Sequence, residues 1–211
     1  AFTGGLITSL IVYRLASGPE GTSVATMLLA GIAISALAGA INSLFSFFSD
    51  DESLRRISLW QMGNLDASTW QHVWLMGAVF IALIVAFPRD ARGLNAMLLG
   101  ESEARHLGIE VEWMKRRLII FTALGIGVSV AVVGMVAFVG LIVPHLVRLL
   151  IGPDHRYLIP ASAMVGAILL MLADTLARII VAPAELPAGV ITALLGAPFF
   201  VSLLIQQRRV I

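Results

Sequence analysis

The residues able to do chemistry in this chain are few, and their placement is uneven. Glu101, Glu103, Arg105 and His106 fall within residues 99–108 between two long apolar runs, Asp174 and Arg178 stand four apart inside another, and His72 and His145 stand alone. None of these patterns is catalytic. There is no His-Glu-x-x-His, no Gly-x-Ser-x-Gly, no glycine-rich phosphate loop ending in Lys-Ser/Thr and no acidic pair within an apolar run. The absence of cysteine excludes disulfides, thiolate metal sites and thiol nucleophiles. His72 has no second His, Asp or Glu at ligand spacing and reads as an interfacial residue, so no metal site is expected. Asp174 and Arg178 share a helical face and pair along it, which lowers the cost of holding either charge among apolar residues. Proton coupling through Asp174, His145 or Glu185 is the competing reading of these groups. The stretch 99–108 is a short, charged, helix-prone surface, suited to being read by another protein. If nucleotide energy drives this chain, another subunit hydrolyses the nucleotide and contacts it there.

The elements that hold these residues follow from composition. The 211 residues are 59% hydrophobic and only 13% charged, where soluble proteins carry roughly a quarter charged residues. Charge-free stretches at 21–49, 67–88, 118–147, 157–173 and 186–207 approach or exceed the roughly 18 to 20 residues that cross a bilayer as a helix. A β-barrel would alternate apolar and polar residues instead, and a soluble core of this size would lack polar cover. The predicted fold class is therefore all-α, a polytopic transmembrane helical bundle. It forms one transmembrane domain over 1–211 with a cytoplasmic coupling region at 89–117. Because the chain opens on apolar residues without Met or a basic leader, residues 1–16 are expected to end a helix begun upstream.

Threading the spans alternately sorts the basic residues. Arg14, Arg89, Arg92, Arg105, Lys115, Arg116, Arg117, Arg148, Arg156, Arg208 and Arg209 fall on one side, and Arg55, Arg56 and Arg178 on the other. The positive-inside rule makes the first side cytoplasmic, with 99–108 and the C-terminus on it. The second span, about 22–48, repeats Gly31, Ser35, Gly39 and Ser43 every fourth residue, a small-residue stripe suited to helix packing or to a pathway wall. Residues 50–66 read as a short outer surface helix and a turn, with Trp60 and Trp70 at the interface. A third span is predicted over 70–87, ending at Pro88, and a short helix from Ser102 that Gly108 ends through a left-handed cap. A fourth span runs from 118 to about 137, followed by a shorter returning helix near 141–150. A span over 157–181, an outer cap at 183–187 and a last span to 207 complete the chain.

In order along the chain, Leu28-Leu-Ala-Gly31, Trp60-Gln-Met-Gly63, Leu99-Gly-Glu-Ser-Glu-Ala-Arg-His-Leu-Gly108, Phe138-Val-Gly-Leu-Ile-Val-Pro-His145 with Arg148, Asp154-His-Arg156, Ala173-Asp174 with Ala177-Arg178, Glu185-Leu-Pro187, Thr192-Ala193 and Gly196-Ala-Pro198 resemble the permease subunits of binding-protein-dependent ABC importers for iron complexes and cobalamin. The resemblance implies about ten helices per complete chain and a homodimer with the translocation path between subunits. It also implies two cytoplasmic ATPase subunits, which use ATP and Mg, and an extracytoplasmic substrate-binding protein. The chain itself would be no enzyme, would bind no cofactor or nucleic acid, and would sit among lipid in the bacterial inner membrane. By the same resemblance Gly100, Glu101, Ser102, Ala104, Arg105, Leu107 and Gly108 contact the ATPase, and Arg55, Arg56 and Arg178 dock the binding protein. Gly31, Ser35, Gly39, Asn42 and Ser43 line the path. The segment before Trp60 favours heme as cargo, with ferric siderophores next and cobalamin third.

Overall fold

A backbone placed in lipid must satisfy its own polar groups, and helices do this within each apolar run. The computed structural model describes residues 2–18, 21–22, 24–66, 68–181 and 186–208. In chain order its elements are α1 (Phe2–Ala16), β1 (Ser17–Gly18), β2 (Gly21–Thr22), α2 (Val24–Phe47), α3 (Asp51–Gln61), α4 (Trp70–Met97), α5 (Glu101–His106), α6 (Val111–Val133), α7 (Val139–Ile151), α8 (His155–Ile180) and α9 (Ala188–Arg208). The fold is the expected all-α bundle; β1 and β2, two residues each, pair antiparallel with one another between α1 and α2. Helices α2, α4, α6 and α8 are long and apolar enough to cross a membrane, and the chain is a multi-pass membrane protein. The expected outer cap at 183–185, including Glu185, and the tail at 209–211, including Arg209, lie outside the described residues.

Three boundaries lie several residues from the sequence expectation, the others within two. Helix α4 does not end at Pro88 but continues to Met97. An internal proline removes one backbone hydrogen bond, and the extension is held instead by Asp90, which is 3% exposed and gripped by Arg117 of α6, with Nε 3.1 Å from Oδ2. Helix α6 begins at Val111 rather than near 118, taking Lys115, Arg116 and Arg117 into its first turns. Charge ends an apolar run without ending a helix. At its other end α6 stops at Val133, before the predicted 137, because Gly134 turns the chain with φ 79.

Packing runs α2 on α1, α1 on α6, α6 on α4, α4 on α8, and α8 on both α7 and α9. Between α7 and α8 the core is Val143, Val147 and Leu158, with Val139, Ala161, Val165 and Leu169 around it. Between α8 and α9 it is Ala173, Ala177 and Ile191, where the two small residues allow close approach of the backbones. Helix α2 is different, since no residue of its apolar window is buried.

Candidate functional site

The connector between α4 and α6 is built as a rigid knob. Helix α5 ends in a paired C-terminal cap: the Gly108 N–H bonds Arg105 O at 2.9 Å, and the Ile109 N–H bonds Ala104 O at 3.1 Å. Gly108 supplies the left-handed turn at φ 81, as the glycine-ended cap requires. Ala104 is fully buried and seats the helix on the chain beneath it. Glu101 is half-buried and accepts from Lys115 of α6 at 2.5 Å. Arg105 lies 3.3 Å from Glu112 and 3.9 Å from Glu101, and the Tyr13 hydroxyl of α1 donates to Glu112. Of the residues expected to contact a partner, Ala104 is buried and Glu101 is half-buried against Lys115. Gly100, Ser102, Arg105, Leu107 and Gly108 remain exposed. They are joined by Leu98, Leu99, Glu103 and His106, with Leu99 69% and Leu107 64% exposed.

At the opposite end of the bundle lies α3, a helix with no buried residue. Asp50 caps it, and its carboxyl is held below the usual range by the Ser53 hydroxyl and backbone N–H. Arg55 makes no ion pair among the described residues, and Arg56 reaches only Glu52, 4.0 Å away and fully at the surface. Arg178 makes the expected pair and one more. It binds Asp174 on its own helix, with Nε 2.9 Å from Oδ2, and also Asp66 in the loop between α3 and α4. The predicted Asp174–Arg178 pair is thus present, and Arg178 is committed to holding that loop.

Beneath α3 three loops meet backbone to backbone. The Asn64 N–H bonds Val133 O at 2.8 Å, the Gly189 N–H bonds Gly63 O at 3.3 Å, and the Met135 N–H bonds Trp60 O at 3.4 Å. A Cβ on Gly134 would lie 2.0 Å from Trp60 O, and one on Gly189 would lie 2.0 Å from Met62 O. Only hydrogen fits at either position. The ends of α3 and α6 and the start of α9 are thereby locked together. Beside this junction opens a cleft of about 650 Å³, lined by Gln61, Met62, Met135, Val190, Leu194 and neighbours. A second cleft of about 490 Å³ lies between α4, α6 and α7. Neither has a charged side chain in its lining.

Along α2, a Cβ on Gly31 or Gly39 would meet no atom within 4 Å. Ser35, Gly39, Asn42 and Ser43 are exposed and Gly31 is half-buried. Among the described residues α1 packs on α2, and the stripe from Ser35 to Ser43 stays exposed. His145 stacks edge-to-face on Phe199 of α9 at 6.3 Å. His72 closes the N-terminus of α4, where its Nδ1 accepts the Thr69 N–H at 3.3 Å and its own N–H bonds Thr69 Oγ1 at 3.4 Å. No group of three potential metal-ligating side chains occurs among the described residues. Sequence reasoning missed Lys115 and Tyr13 as the partners that organise the α5 corner. Tyr13 and Glu112 are 99 residues apart, a separation at which no local pattern signals a contact.

A profile of the FecCD transport family matches residues 1–206 of the chain. The hemin transport system permease protein HmuU of Yersinia pestis is 46% identical over 209 residues, which are 99% of this chain and 62% of that protein. The vitamin B12 import system permease protein BtuC of Salmonella newport (strain SL254) is 42% identical over 209 residues, 99% of this chain and 63% of that one. Among solved structures, an inward-facing conformation of a putative metal-chelate type ABC transporter superposes with a TM-score of 0.83 at 32% identity, over 97% of this chain and 64% of that chain. The chain spans less than two thirds of the length of each of these relatives.

Proposed function

We propose, from the premise that this chain belongs to the FecCD transport family, that it is part of the permease subunit of an ABC importer carrying an iron complex, heme first, across the cytoplasmic membrane. The observation that supports this best is the α5 knob. A six-residue helix is capped, braced by Lys115 and Ala104, and left with an exposed apolar and charged face. A chain with no nucleotide motif needs such a face to receive work done by an ATPase subunit. In this reading α5 faces the cytoplasm and fits a cleft in that subunit, as the basic residues on its side favour. At the other end α3 presents Arg55 and Arg56 to an acidic surface on a binding protein.

Transport then follows as alternating access. ATP closes two ATPase subunits, the α5 helices of two permease copies move with them, and helix packing shifts between two discrete arrangements. The α2 stripe of Gly31, Ser35, Gly39, Asn42 and Ser43 faces a second copy across the path, offering small, weakly interacting walls to a bulky cargo. Similarity to a hemin permease supports heme, and similarity to vitamin B12 permeases supports cobalamin as the second reading. Asp174, one of the three residues considered for proton coupling, is paired with Arg178. In liposomes holding the full-length permease, its ATPase and the binding protein, hemin uptake is expected to require ATP. Uptake driven by a proton gradient without the ATPase would overturn the proposal.

Docking supplies a separate prediction. Reversing Arg55 and Arg56 to Glu is expected to weaken binding-protein affinity about tenfold or more at low ionic strength, and less at high salt, because exposed charges are screened. Binding titrations at two salt concentrations check this. Equal affinity at low salt removes the pair from the docking surface.

A further inference from the structure

Helix α8 is pinned at both ends by side chains from elsewhere. Near the α5 corner, Asn95 on the last turns of α4 reaches into its N-terminus. Asn95 Oδ1 accepts the His155 backbone N–H at 2.8 Å and lies 2.8 Å from His155 Nδ1, while its Nδ2 donates to Asp154 Oδ1 at 2.6 Å. Asp154 is the N-cap of α8 and accepts the Arg156 N–H at 3.0 Å. That bond, then the one from Asn95, holds its carboxyl below the usual range. The first N–H groups of a helix have no partner within the helix, so α4 supplies one that α8 lacks. At the far end Arg178 joins α8 to Asp66 in the loop that follows α3.

Covalent continuity already makes α5 move with the end of α4. Nothing covalent makes α8 follow. We infer that Asn95 is the positioning residue that yokes α8 to the α5 corner, so that α5 and the Arg178–Asp66 contact beside α3 shift together when the binding protein docks. This rests on the importer reading above. The body of α8 can carry such a shift, being a continuous helix of 26 residues packed on α4, α7 and α9. At about 1.5 Å per residue it reaches the length of a membrane crossing.

The test measures ATP hydrolysis by the full-length permease assembled with its ATPase, with and without hemin-loaded binding protein. Asn95→Leu removes both polar arms at similar volume. It is expected to leave hydrolysis without binding protein near the wild-type rate and to lower the stimulated rate about tenfold, as loss of paired part-buried hydrogen bonds allows. Arg178→Gln should lower stimulation too, and the double variant should be no worse than the stronger single one, since both act through one helix. If Asn95→Leu does not assemble, His155→Ala removes only the ring contact and should lower stimulation in the same direction. Stimulation unchanged in the assembled variant, or a double variant whose losses multiply, overturns the yoke while leaving the importer reading intact. A wild-type complex with no stimulation at all overturns the importer reading and the inference with it.

Discussion

Replacing Gly134 by alanine is expected to destabilise the folded protein by about 3 kcal/mol or more, adding backbone strain to an overpacked contact. Gly134 sits at φ 79 and ψ −162 as the cap of α6, a region that side chains other than glycine's scarcely enter. The added Cβ would stand 2.0 Å from the Trp60 carbonyl oxygen, which is backbone and can retreat only if α3 moves. That oxygen also accepts the Met135 N–H, so the displacement spreads to the three-loop junction. Thermal unfolding in detergent, followed by size-exclusion chromatography, should show a clear fall in midpoint for Gly134→Ala. The control is Gly39→Ala, where the Cβ would meet no atom within 4 Å and little change is expected. Equal midpoints for the two variants would show that the junction yields without cost.

Leu107→Glu is expected to reduce transport-linked ATP hydrolysis by about thirtyfold, the effect of losing a central apolar contact at a protein interface, while the permease keeps its stability. Leu107 is 64% exposed on the α5 face, so charging it harms little inside the chain. Glu101→Arg makes the contrasting case. It places a cation where Lys115 now pairs with Glu101, freeing α5 from α6, and it should lower both stability and coupled hydrolysis. Reconstituted hydrolysis measured beside melting midpoints separates the two. Coupled hydrolysis unchanged in Leu107→Glu would move the ATPase contact away from α5.

Much of this arrangement was legible in the amino-acid order alone. The runs that become α2, the first part of α4, α8 and α9 are set by hydropathy, and the surface helix α3 by a polar stretch that begins at the capping Asp50. Helix α5 and its Gly108 cap were also readable, because a short helix is delimited by residues within a few positions of its ends. The extension of α4 past Pro88 was not, since the Arg117 that steadies Asp90 lies far along the chain.

The sequence by itself determined the alternation of apolar helices and polar connectors and the ends of the short helices. These follow from transfer free energy and local backbone preference, which act over a few residues. Only the tertiary structure decided that Glu101 belongs to Lys115, that Arg178 also holds Asp66, and that Asn95 belongs to the start of α8. It alone showed three loops meeting where glycine is the one residue that fits. Such pairings depend on where distant backbone segments come to rest, and any of several residues would suit the same local pattern equally well.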